Sequence, residues 1–174
     1  MFVDHNAWPL LALSKPPGVR VAAERHRENR GGGRDVGLLA IAALGLLVST
    51  YFTAVTYQWV RPDASWIPQV CRMDEKTCAR IVDTGYGQAF GAPNSVFGIA
   101  WYLAVAGVTL YRWTGDPLLP CSVLILLAAG VVAFSVYLAW ALVQRLGVHC
   151  PLCYLSHTLN VGVLVGFVGL CAIG

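Results

Sequence analysis

Charge is scarce in this chain. Asp, Glu, Lys and Arg together make up 12% of its 174 residues, against 57% hydrophobic residues and a mean hydropathy of +0.62. A soluble domain of this length carries far more charge, so the composition defines a membrane protein. Other absences narrow the function. The formal net charge is only +3, and the crowding of Arg20, Arg25, Arg27, Arg30 and Arg34 ahead of the first long apolar run is no nucleic-acid signature. It fits a cytoplasmic flank under the positive-inside rule. The first long apolar run comes late and is too long for the core of a signal peptide. No histidine directly follows Cys153, which excludes c-type haem attachment. The gap between Cys71 and Cys78 exceeds zinc-knuckle spacing, so no metal site is expected.

What is present is dominated by one stretch, His149-Cys150-Pro151-Leu152-Cys153. Two cysteines with two residues between them share a helical turn and can close a disulfide or present two thiols. Pro151 suits the first helical position, where its missing N–H costs nothing, which makes Cys150 the N-cap and puts Cys153 in the first turn. His157 and Asn160 follow Cys153 at helical offsets of four and seven, so the three line one face. Cys121 and Cys171 stand apart in apolar runs and read as inert small hydrophobes.

Apolar runs divide the chain. Residues 1–35, with Pro9, Pro16, Pro17 and the Gly31-Gly32-Gly33 run, read as a largely unstructured basic tail on the cytoplasmic side, with a surface-lying piece around Trp8. Residues 36–174 read as an all-α integral membrane domain, a bundle of four transmembrane helices at about 36–57, 96–112, 118–143 and 150–173. The polar loop 58–95 between the first two spans carries Cys71 and Cys78. Four crossings from an inner tail bring that loop to the outer face, where Cys150 and Cys153 begin the last helix, and cysteines in a polar loop point to an oxidising compartment. Glycines alternate with bulkier residues from Gly85 to Gly91, which suits either ordinary turns or a backbone folded over a ligand. Asn94 or Ser95 is placed to cap the second span.

Two dithiol pairs on one membrane face make a relay for thiol–disulfide exchange. Soluble dithiols can reach the loop pair, and a lipid-soluble two-electron carrier such as a quinone can reach the helix pair from the bilayer. Asn94 and His157 are candidate donors to its carbonyls, with apolar and aromatic walls around them.

Cys71 and Cys78 in the loop, Asn94-Ser95-Val96-Phe97-Gly98 opening the second span and Cys150-Pro151-Leu152-Cys153 opening the fourth occur in an order that resembles the vitamin K epoxide reductase family. The resemblance covers about residues 36–174. It implies a four-helix bundle around a quinone of the menaquinone, ubiquinone or vitamin K type. It also implies that Cys153 attacks the quinone, Cys150 is its partner, Cys78 exchanges with Cys150 and Cys71 is the outermost shuttle. Asn94 would donate to a quinone oxygen, with His157, Tyr86, Phe90 and Phe97 completing the site. The vertebrate enzymes carry tyrosine at the position of His157 and tryptophan at that of Tyr86, which leaves the preferred quinone and the acceptance of an epoxide open. The resemblance favours a bacterial homologue in the inner or plasma membrane, or in the endoplasmic reticulum if the source is eukaryotic. Such a protein reoxidises a separate thioredoxin-like or DsbA-like dithiol partner and so supports disulfide formation. The alternative implied by the same residues is reduction of vitamin K epoxide or quinone. A protein whose loop disulfide merely staples the fold is the non-catalytic reading.

Overall fold

The computed structural model describes residues 17–61, 84–89, 91–114, 118–147 and 149–172, with side chains from residue 32 onward except that of Ala89. Four long helices account for most of these: α1 (Pro17–Thr56), α2 (Asn94–Tyr111), α3 (Cys121–Gln144) and α4 (Pro151–Cys171). A two-residue hairpin, β1 (Gln88–Ala89) with β2 (Ala92–Pro93), precedes α2, and a 3-10 turn (Arg112–Thr114) follows it. Each helix holds a stretch long and apolar enough to cross a bilayer: Gly32–Thr56, Asn94–Thr114, Cys121–Gln144 and Pro151–Cys171. Backbone polar groups find no water in hydrocarbon, so a helix, which bonds its own N–H and C=O groups, is the form an open chain takes there.

The outside of the bundle is as apolar as its inside. Leu126 is 71% exposed and Val165 64%, and large apolar side chains exposed along all four spans suit contact with lipid tails. Aromatic rings mark one boundary of the apolar layer. Phe134, Tyr137 and Trp140 form a stacked ladder toward the end of α3, and the Arg145 guanidinium lies 5.4 Å from the centre of the Trp140 ring. Tyr57 and Trp59 stack just past the end of α1. Amphipathic rings and a nearby cation favour the headgroup level.

The expected tail needs correction. Pro17 to Arg34 is helical and continuous with the first span, giving α1 40 residues and a length of about 60 Å, roughly twice the hydrocarbon thickness. The prolines and glycines argued for disorder, but Pro17 sits at the helix start, where proline is favoured, and Ala, Glu and Arg in the next turns are strong helix formers. Residues 1–16, including the stretch around Trp8, lie outside the described residues.

Packing joins α1 to α2 and α4, and α3 to α4, whereas α2 and α3 do not run packed along one another. Leu38, Ala42, Tyr102, Val105, Ala128, Val163 and Phe167 form the central core. Small residues let the helices approach, as they do where lipid supplies no hydrophobic drive for association. A Cβ on Gly45 would collide with the Tyr102 ring, and one on Gly166 would meet the Leu38 side chain.

At the end of the bundle away from Cys150, three links tie the helices. Arg34 donates to the Gly169 carbonyl, Arg112 Nε lies 3.9 Å from Asp35 Oδ1, and Cys121 is disulfide-bonded to Cys171. The last link overturns the reading of Cys121 and Cys171 as inert hydrophobes. They sit 50 residues apart at the start of α3 and the end of α4, and antiparallel packing brings those ends together.

The close fit at Gly45 gives a test. Gly45→Ala should cost about 1–3 kcal/mol by overpacking against Tyr102, whereas Gly37→Ala, which meets nothing within 4 Å, should not destabilise. Thermal unfolding in detergent checks both, and equal midpoints for the two variants would contradict the packing.

Candidate functional site

The site forms where α4 begins. Cys150 is extended and caps the helix, and its sulfur accepts from the Cys153 amide at 3.4 Å, with Pro151 in the first turn. The Tyr154 amide bonds the Cys150 carbonyl at 3.1 Å, which closes the first turn and fixes Cys153 one turn in. Cys150 is fully buried among Val55, Leu142 and Leu152. The two sulfurs differ in state: Cys150 is disulfide-bonded, and Cys153 is a free, half-buried cysteine.

Cys153 faces a cavity of about 240 Å³ lined by all four helices and by the hairpin segment. From α4 come Cys153, Ser156, His157 and Asn160, the face expected from their spacing. From α2 come Asn94, Phe97, Gly98 and Trp101, at offsets of three, four and seven residues, which again share one face. Phe52 of α1 and Val131, Phe134 and Leu138 of α3 add apolar and aromatic wall.

The hairpin segment covers one end. Tyr86 and Gly87 line the cavity in the turn before β1, and β1 pairs antiparallel with β2 in the register Gln88 to Pro93 and Ala89 to Ala92. Gly91 turns the hairpin with φ +81°, a conformation that glycine adopts without steric cost. Two bonds tie this cap to α2: the Asn94 amide donates to the Gly87 carbonyl at 2.9 Å, and Asn94 Nδ2 donates to the Tyr86 carbonyl at 2.7 Å. Asn94 is therefore not the N-cap. Pro93 takes that position with no side-chain cap, and Ser95 instead receives a bond from Thr53 Oγ1 at 2.9 Å.

Beneath the cavity lies a polar chain across three helices. The Tyr102 hydroxyl donates to Asn160 Oδ1 at 2.9 Å, and Asn160 Nδ2 donates to Ser135 Oγ at 2.8 Å. These groups satisfy one another, so Asn160 serves the floor. Among the described residues, five buried side-chain polar atoms have no hydrogen-bond partner. Two of them, Asp35 Oδ1 and Arg112 Nε, face each other at 3.9 Å at the far end of the bundle. The other three, Asn94 Oδ1, Trp101 Nε1 and His157 Nδ1, belong to residues lining this one cavity. Each such atom costs about 1–3 kcal/mol while unpaired, so a cavity collecting three of them suits a ligand that supplies polar atoms.

Of the residues singled out by sequence, Asn94, Tyr86, Phe97, Cys153 and His157 line the cavity and Cys150 adjoins it. Cys71, Cys78 and Phe90 lie outside the described residues. Trp101 was missed, although its place seven residues after Asn94 on an apolar helix was a readable signal.

A four-helix membrane bundle with a cysteine pair opening its last helix defines a class of membrane redox protein. The vitamin K epoxide reductase family model matches residues 36–167, and the chain belongs to that family. It is similar to vitamin K epoxide reductase complex subunit 1 of Mus musculus, at 29% identity over 151 residues covering 76% of this chain and 88% of the mouse protein. The protein is a multi-pass membrane oxidoreductase.

The two hydrogen bonds between Asn94 and the cap predict a local effect. Asn94→Ala removes the side-chain strut to Tyr86, and about 1–2 kcal/mol of local opening free energy should go with it. Hydrogen–deuterium exchange in the Thr84–Gly87 segment should then speed up severalfold while exchange in the middle of α3 stays as it was. Unchanged exchange at the cap would show that the strut does not hold it.

Proposed function

We propose that this protein passes electrons from a thioredoxin-like or DsbA-like dithiol partner, through the loop pair Cys71 and Cys78 and the helix pair Cys150 and Cys153, to a membrane quinone, and so supports disulfide formation. The observation that carries this reading is the unequal state of the helix pair beside the cavity: Cys150 is held in a disulfide, while Cys153 is free and faces three unpartnered polar atoms. A structural staple would leave no free thiol beside an apolar, aromatic cavity equipped for a ligand with oxygens.

The steps balance as follows. The partner's two thiols reduce the Cys71–Cys78 disulfide and leave the partner oxidised. The Cys78 thiolate attacks the sulfur of Cys150 in the Cys150–Cys153 disulfide, forming Cys78–Cys150 and releasing Cys153. Cys71 then attacks Cys78, restoring the loop disulfide and releasing Cys150. With both helix thiols reduced, Cys153 delivers the electron pair to the quinone, and the Cys150–Cys153 disulfide forms as two electrons and two protons leave the thiols to give the quinol. Asn94 and His157 hold the ring oxygens, and Tyr86, Phe90 and Phe97 supply the walls around the ring. The cap keeps water from the reacting sulfur.

In this reading the cysteines work on the extracytoplasmic side, with the basic start of the chain in the cytoplasm. The quinone is of the menaquinone, ubiquinone or vitamin K type. Vitamin K epoxide reductase activity is the second reading, supported by the name of the mouse relative. An assay with the epoxide as the only acceptor separates it from quinone reduction.

Cysteine replacement tests the order of transfer. Cys153→Ala should accumulate a Cys78–Cys150 disulfide, formed when the Cys150 thiol attacks the Cys71–Cys78 disulfide, because no helix disulfide can then form to pass the electron pair on, and quinone reduction should fall by about a hundredfold or more. Peptide mapping after acid trapping reads the bond. A Cys153→Ala protein that shows only Cys71–Cys78 linkage and retains turnover would reverse the assigned roles.

A further inference from the structure

The proposed acceptor site leaves one group without a role. Trp101 sits two turns into α2 on the face that carries Asn94, Phe97 and Gly98, and its ring lines the cavity. Its Nε1 is buried and has no hydrogen-bond partner. An indole nitrogen is a donor only, so nothing but an acceptor atom can satisfy it. Within a membrane span no bulk water reaches it, and a phenylalanine would fill the same wall without the cost.

Asn94 sharpens the point. One of its Nδ2 hydrogens is committed to the Tyr86 carbonyl, and the atom left unpartnered is the acceptor Oδ1. An acceptor suits the hydroxyl of a quinol, whereas the carbonyl of a quinone calls for a donor. Side chains on a helix lean toward its N-terminus, which tips the indole of Trp101 back toward the level of Phe97 and Asn94. His157 approaches from α4, on the other side of the cavity.

We propose that Trp101 is a specificity-determining donor whose indole N–H bonds a carbonyl oxygen of the bound 1,4-quinone from the α2 side, while Asn94 Oδ1 receives the hydroxyl that forms there on reduction. This rests on the quinone reading above and assigns the α2 side of the site one group for each redox state of the ring. A ligand without an acceptor at that position leaves the indole unpaired and binds less well.

The test uses the full-length protein in detergent or nanodiscs, with a short-chain 1,4-naphthoquinone and a short-chain 1,4-benzoquinone as probes. In spectra of protein carrying 15N-labelled tryptophan, the indole resonance absent from Trp101→Phe identifies Trp101. That resonance should move downfield when the oxidised probe binds to the wild type. Trp101→Phe should raise the quinone KM about threefold to tenfold, the scale of one neutral hydrogen bond, with kcat and the exchange of the partner's thiols with the loop changed less than twofold. If the wild type reduces quinone but the Trp101 resonance stays in place and Trp101→Phe keeps its KM, the assignment of Trp101 is overturned and the quinone reading stands. If neither probe binds or is reduced by the wild type, both fall.

Discussion

Inside a bilayer a polar atom has no solvent to fall back on, and the rest of this structure follows from that constraint. The backbone meets it by forming four helices that bond internally. Polar side chains meet it by bonding a carbonyl of their own helix, as Thr109 does to Val105, or by pairing across helices, as in the line from Tyr102 through Asn160 to Ser135 and the bond from Thr53 to Ser95. What remains unpaired is informative because the cost of leaving it so is high. Asn94, Trp101 and His157 each keep one atom unsatisfied, and all three line the cavity that Cys153 faces. Among the described residues the other two unpaired buried atoms, Asp35 Oδ1 and Arg112 Nε, face each other at the far end, so the cavity alone gathers unpaired atoms with no protein partner opposite them.

The same geometry separates the work of the two ends. Away from the cysteine pair, Arg34 bonds Gly169, Arg112 lies near Asp35, and the Cys121–Cys171 disulfide joins α3 to α4. Near Cys150 the cover is a short hairpin held to α2 largely through Asn94. Among the described residues, one end is braced between helices and the other carries a small cap tied to α2.

Much of this was legible in the sequence, for reasons that can be named. The spans followed from apolar run length, and the start of α4 from proline's tolerance for the first helical turn, which fixed Cys150 as the cap. The shared face of Cys153, His157 and Asn160 followed from helical spacing. The failures came where tertiary context decides. Cys121 and Cys171 are 50 residues apart, and only the packing of α3 against α4 shows that they meet. Asn94 has the residue type of a cap, but Pro93 holds that position and Asn94 reaches back to Tyr86 instead. Gly31 to Gly33 looked like the end of order, yet the helix runs through them because good helix formers precede them and a span follows. Trp101 shares the face of Asn94 by its spacing of seven, but a tryptophan in an apolar helix passes for core, and its unpaired Nε1 is what marks it as more.

The central claim is that the cavity beside Cys153 is where a quinone binds, and a photoreactive short-chain quinone tests it most directly. After illumination and peptide mapping of the full-length protein, label should concentrate on the cavity-lining residues of α2 and α4, near Phe97, Trp101 and His157, and an excess of unmodified quinone should suppress it. Label spread over lipid-facing positions such as Leu126 and Val165, unaffected by competitor, would contradict the account.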